Sequence, residues 1–143
     1  MPQSTDELLA DFADLVLNVG RLIRARTPDD TKLVTMTETE RQVMRLVDLQ
    51  PGCTPSDIAV RGRLQRTNVS TALGSLESKG MIRRTASGRT VTVIPTRLAA
   101  ANLRALRAAW GRELAGLDAD SATLEKCTEL LSALEEHLIE PSD

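Results

Sequence analysis

Leu8, Phe12, Leu15, Val19 and Leu22 follow one another at steps of four, three, four and three, the stripe of a long amphipathic helix. The spacing predicts a helix over about 5–26, ended by a TPDD turn at Thr27 to Asp30. A second helix opens at Thr37, which precedes Glu40 at capping-box spacing; it buries Val43, Leu46 and Val47 and stops at Pro51-Gly52. Thr54 then reads as an N-cap, with Pro55 at the first helical position and Asp57 in the first turn. The short third helix, TPSDIAVR, turns Ile58 and Ala59 inward and breaks at Gly62. After three or four residues a fourth helix begins within LQRTNVSTALGSLESKG, anchored by Val69, Leu73 and Leu76, running to about Lys79 with Gly80 as a left-handed cap.

Beyond Gly80 the period becomes alternating. MIRRT, the turn ASG and RTVTVIP predict a β-hairpin with its tip at Ser87-Gly88, Val91 and Val93 on one face and Thr90, Thr92 and Ile94 on the other. Thr96 can cap a fifth helix with the stripe Leu103, Leu106, Trp110, Leu114 and Leu117. A sixth starts at Ser121, with Leu124, Cys127, Leu131, Leu134 and Leu138 in line. Two helices joined by a tight turn and followed at once by a hairpin make a winged helix-turn-helix. The expected fold is therefore mainly α with a small β-hairpin wing: an N-terminal dimerisation helix and linker over 1–36, the winged domain over 37–96, and C-terminal dimerisation helices over 97–143. The outer helices carry more leucine than a winged domain of about 65 residues can cover, so a symmetric interface through Leu8, Phe12, Leu15, Leu124, Leu131, Leu134 and Leu138 is expected.

Composition narrows the chemistry. No apolar run approaches the roughly 18–20 residues that cross a bilayer, and Asp6, Glu7, Asp11 and Asp14 interrupt any secretory segment, so a soluble, cytoplasmic protein without a membrane partner is expected. Cys53, Cys127 and a single histidine, His137, cannot build a four-ligand zinc site, and neither metal nor cofactor is expected. Phe12 and Trp110 are the only aromatic residues, which removes the stacking platforms that bind single-stranded nucleic acid. With no nucleophile elbow, no phosphate loop and one histidine, an enzyme is not expected.

The net charge of −2 hides a sorting of signs. Residues 61–97 hold eight basic residues against Glu77 alone, and residues 113–143 hold nine acidic residues against Lys126. A basic segment within an acidic protein suits a polyanion. Recognition helices touch base edges mainly through N-terminal residues while their apolar face packs inward, which accounts for the polar start of LQRTNVSTALGSL. Arg66 could pair bidentately with guanine, Asn68 could read adenine, and Ser70 or Thr71 could bond bases or phosphates, with Arg63, Gln65 and Thr67 beside them. Arg89 at the wing tip is placed for a minor groove. Arg83 and Arg84 should point to opposite faces, with Arg84 favoured for DNA, and Thr54 could bring backbone N–H groups to a phosphate. Arg61 and Arg97 read equally well as structural residues that cap helix ends or pair with acids of a partner chain.

With these residues in view, the chain resembles the MarR family of bacterial transcriptional regulators along nearly its whole length. MTETERQVMRLV resembles the family's second helix, TPSDIAVRGRLQRTNVSTALGSLESKGMIRR its helix-turn-helix, and SGRTVTVIPT its wing. The family's Asp-x-Arg wing motif is matched by Ser87-Gly88-Arg89, without the aspartate; the wing is short, and Arg63 stands where the family commonly has a turn glycine. The resemblance implies an obligate homodimer, assembled from the first and last two helices, acting as a repressor on a pseudo-palindromic operator in double-stranded DNA and often released by a small effector. Its half-sites would lie about 10 to 10.5 base pairs apart.

Plainer readings stand beside these. Cys127 reads as a small core residue, Trp110 as core rather than pocket wall, and His137 as exposed. Cys53, at a helix N-terminus that could lower a thiol pKa, raises redox sensing as an alternative. The competing function is a winged-helix protein–protein adaptor that works through its acidic C-terminal helix, against which the basic segment stands.

Overall fold

The computed structural model describes residues 2–27 and 33–140, so the expected TPDD turn lies, beyond Thr27, outside the described residues. The elements run α1 (Thr5–Arg26), α2 (Glu38–Leu49), α3 (Pro55–Gly62), α4 (Arg66–Ser78), β1 (Ile82–Ser87), β2 (Thr90–Pro95), α5 (Arg97–Glu113) and α6 (Ser121–Ile139). This is the winged helix-turn-helix with helical extensions that the periodicities predict. Capping boxes formed by Ser4 with Glu7, Thr37 with Glu40, and Thr54 with Asp57 start the first three helices.

The core lies between α2, α3, α4 and the hairpin. Val43, Val47, Ile58, Val69, Leu73, Leu76, Met81, Ile82 and Val93 are fully buried, each contributing roughly 1.5–3 kcal/mol of hydrophobic stabilisation. β1 pairs antiparallel with β2 from Ile82–Pro95 to Ser87–Thr90, which leaves Gly88-Arg89 as the two-residue turn, one position beyond the expected tip. Gly88 has φ 61°, at the first loop position where type II′ hairpins need a left-handed residue. Cys53 forms a bridge with Val93, so the α2–α3 connection adds a short rung to the wing that no periodicity announced.

The turn between α3 and α4 exchanges the usual roles of its residues. Gly62 is the last helical residue rather than the breaker, and Arg63 takes the left-handed C-cap conformation at φ 51°. A Cβ on Gly62 would stand 3.0 Å from Leu64 Cδ1 and 3.2 Å from Leu46 Cδ1, so close packing claims the glycine. The left-handed position then falls to an arginine, at a cost of roughly 1–2 kcal/mol.

A buried ion pair joins the start of α2 to the end of α4. Lys79 Nζ donates to Glu40 Oε2 at 2.7 Å and to the Thr35 carbonyl at 2.6 Å, and Ser75 Oγ donates to the same carboxylate at 3.2 Å. Burial raises the Glu40 pKa, but hydrogen bonds from Lys79 and Thr37, with the lysine's charge, outweigh it and hold the carboxyl below its usual range.

The outer helices are thinly covered. Neither α1 nor α6 buries a single residue, while α5 buries Ala99, Asn102 and Ala109 in place of its leucine stripe. Asn102 Oδ1 accepts from the Val34 backbone at 2.8 Å, tying α5 to the segment before α2. Leu114 and Leu117 fall beyond the end of α5. Trp110 is not core: it is 36% exposed and donates from Nε1 to Thr27 Oγ1 at 3.1 Å. Cys127 is likewise exposed, on a stretch of α6 that no described residue buries. Near its C-terminus α6 returns to the winged core, where Arg45 meets Glu135 at 2.9 Å, Arg61 meets Glu136 at 2.9 Å, and Arg63 Nη1 donates to the Leu138 carbonyl at 3.3 Å. No helix among the described residues is long and apolar enough to cross a membrane.

Candidate nucleic-acid interface

Val69, Ala72, Leu73 and Leu76 seat α4 on the core and thereby turn its other face outward. Gln65, Arg66, Thr67, Asn68, Ser70 and Thr71 are all exposed on that face. The start of α4 also differs from every other described helix. Side chains cap α1, α2, α3, α5 and α6, whereas Gln65 makes no capping bond and the first turn of α4 holds no acid. Its leading N–H groups, which have no partner within the helix, face outward with the positive end of the helix dipole.

Arg66, Ser70 and Arg84 come together around a small cleft of about 120 Å³, with Pro55, Ser56, Val69 and Leu73 completing its walls. Arg66 Nη2 donates to Ser56 Oγ at 3.1 Å, linking the starts of the two helix-turn-helix helices. Arg84, favoured for DNA from the sequence, instead faces α4 and grips Glu77 through two hydrogen bonds. Those bonds hold the Glu77 carboxyl below its usual pKa and raise that of Arg84. At the hairpin tip Arg89 is exposed, as is Arg83 on the opposite side of β1 from Arg84.

Several expected roles change. Arg63 is exposed but its guanidinium is directed to the Leu138 carbonyl, away from the α4 cluster. The Thr54 N–H donates to Asp57 Oδ2 at 2.9 Å while its hydroxyl accepts from the Asp57 N–H, so the capping box consumes the groups proposed for a phosphate and sets a carboxylate beside them. Thr71 spends its hydroxyl proton on the Thr67 carbonyl. Arg61 is a structural residue, and the acid it meets belongs to its own chain. Cys53 is buried, and burial, followed by the charge of Asp57, pushes its thiol up, which removes the activated thiolate that redox sensing needs.

The basic segment is consequently less free than its composition suggests. Arg61, Lys79 and Arg84 are paired with acids, while Arg66, Arg83, Arg89 and Arg97 make no salt bridge among the described residues. Sequence reasoning missed Ser56; its only signal was a hydroxyl in the first turn of the helix ahead of the recognition helix. It also passed over Glu77, which stood out as the lone acid of the segment.

Residues 34–90 match the MarR family model. No curated protein matches the chain. Among solved structures, a MarR family protein from Bacillus stearothermophilus is similar at TM-score 0.73 and 11% identity, over 96% of this chain and 100% of that one. A MarR-family transcriptional regulator from Rhodococcus sp. RHA1 gives 0.70 and 20%, over 94% and 96%. The transcriptional regulator BldR from Sulfolobus solfataricus gives 0.63 and 22%, over 92% and 99%. At such identities the likeness is one of fold.

Proposed function

Starting from a chain whose residues 34–90 belong to the MarR family and whose fold follows that family's structures along nearly its whole length, we propose that it is a sequence-specific, double-stranded DNA-binding transcription regulator. The observation that carries this reading is α4 itself: an exposed polar face with Arg66, Asn68 and Ser70 at an uncapped, acid-free start, flanked by a wing that bears Arg83 and Arg89. Arg66 and Asn68 read base edges in the major groove, Gln65, Thr67, Ser70 and the first N–H groups of α4 meet bases or phosphates, and Arg89 reaches the neighbouring minor groove.

The active unit is a homodimer. Leu15 and Leu138 are 60% and 59% exposed, Leu8, Leu124 and Leu131 are exposed beside them, and Phe12 and Leu134 are half-buried, an apolar surface that a two-fold partner would cover. Two recognition helices then address a pseudo-palindrome, and the dimer represses where that operator overlaps a promoter. An adaptor working through acids of α6 would keep Glu125 and Glu129 but not Glu135 and Glu136, which are engaged with Arg45 and Arg61, and it leaves the basic, acid-free start of α4 without a use.

The test is the salt dependence of binding to duplexes selected from fragments of the source genome. A dimer that makes six to ten phosphate contacts should lose about 10³- to 10⁵-fold in affinity between 50 and 200 mM salt. A flat response would remove the DNA-binding reading.

A further inference from the structure

The last turn of α6 makes three polar contacts with two helices of the winged core, all within residues 135–138. Arg45 comes from α2, Arg61 from α3, and Arg63 from the cap of α3. Apolar packing there is light: among the described residues α6 has Leu134 and Ile139 half-buried and none fully buried.

Each side of this junction is placed against its local preference. Glu135 and Glu136 lie near the C-terminus of a helix, where the dipole disfavours acids, and the Leu138 carbonyl is one of the last four that no intrahelical N–H can satisfy. Arg45 and Arg61 answer the two acids, and Arg63 answers the carbonyl. Arg63 does so from a left-handed backbone that glycine would adopt without strain. Local cost on both sides, relieved only by the contact between them, marks a junction that serves position.

We infer that Arg45, Arg61 and Arg63 are positioning residues, which clamp the end of α6 to α2 and α3 and thereby fix the attitude of the recognition helix relative to the helical arm. The inference rests on the proposed DNA-binding homodimer. In that assembly the arm belongs to the two-fold interface, α4 to the operator, and the clamp sets the separation between the two copies of α4. Its function is to select half-site spacing, and Arg63 leaves the set of DNA contacts.

The experiment uses the full-length protein with Glu135→Gln and Glu136→Gln together, which removes both acids at nearly constant size, and separately with Arg63→Gly, which suits the left-handed backbone. One readout is the distance between spin labels on Val60→Cys and Ala133→Cys in a Cys127→Ser background, diluted with unlabelled chain. The other is affinity for selected duplexes whose half-sites are moved apart or together by about two base pairs, a substantial rotation on a helix of roughly 10.5 base pairs per turn. The wild type should show a narrow distance distribution and prefer its own spacing by roughly tenfold or more. Both variants should broaden the distribution and cut that preference to roughly threefold, with the base preferences of each half-site unchanged. A distribution that stays narrow would overturn the clamp, and one that broadens while the spacing preference persists would overturn its positioning role. A wild type that binds no duplex would instead overturn the DNA-binding reading and the spacing role with it, leaving the label distances to decide the clamp by themselves.

Discussion

The guanidinium of Arg84 holds the carboxylate of Glu77 through two hydrogen bonds, 3.0 Å from Nη2 to Oε1 and 3.3 Å from Nε to Oε2, so the first strand of the wing is fastened to the last turn of the recognition helix. The pair removes one cation from the face and fixes the wing at the same time. Glu77→Gln should free Arg84 for phosphate, steepening the dependence of log affinity on log salt by about 1 per protomer and strengthening binding to unrelated duplex at low salt. Salt titrations of both proteins check this; an unchanged slope with weaker binding would mean that Arg84 serves only to hold the wing.

Arg66 is exposed at the start of α4 and, among the described residues, is held by the neutral Ser56 hydroxyl with no acid paired to it, so its fork is preset without being neutralised. Arg66→Ala should cost about 1–3 kcal/mol on the selected operator and relax preference at one base position per half-site. Binding measured on a panel of single-base variants decides the matter. Equal loss on every duplex would assign Arg66 to phosphate.

The Glu40–Lys79 pair governs stability rather than binding. Lys79→Met strands a buried carboxylate and should destabilise the fold by about 2 kcal/mol, below the full range for buried pairs because the lysine is partly exposed. Adding Glu40→Gln should recover much of that loss in denaturant titrations, and a purely additive double variant would contradict the coupling. Because the folded pKa of Glu40 is depressed, its contribution is present above the ordinary carboxylate range and is lost as pH falls through the folded value.

Asp48 has the opposite sign. Burial raises its carboxyl from 3.8 to about 6, with no cation or hydrogen bond to offset the desolvation. Its ionised form therefore weighs against folding above about pH 6, and the penalty fades as pH falls toward the unfolded value. Asp48→Asn should stabilise the protein by about 1 kcal/mol at pH 7, after allowance for solvent screening, and by nothing near pH 3.5. Thermal unfolding at the two pH values checks the difference, which would be absent if Asp48 were fully hydrated.

Local chemistry was legible in the sequence wherever neighbours in the chain decide it. The bounds of α1, the capping residues Thr37 and Thr54, and the anchors Val69, Leu73 and Leu76 all follow from spacings of a few residues. What was hidden depends on distant partners. Arg45 finds Glu135, Arg61 finds Glu136, and Cys53 pairs with Val93, none of which a local period can disclose. The exchange between Gly62 and Arg63 was concealed for a related reason: which side chains crowd Gly62, Leu64 from the turn and Leu46 from α2, is settled only once the helices pack.

The open start of α4 carries a thermodynamic implication for the whole molecule. In the proposed complex, a phosphate oxygen laid across the first turn of α4 would complete the hydrogen bonding that no side chain supplies. DNA that binds the folded protein would then raise its resistance to heat by an amount that grows with the DNA concentration.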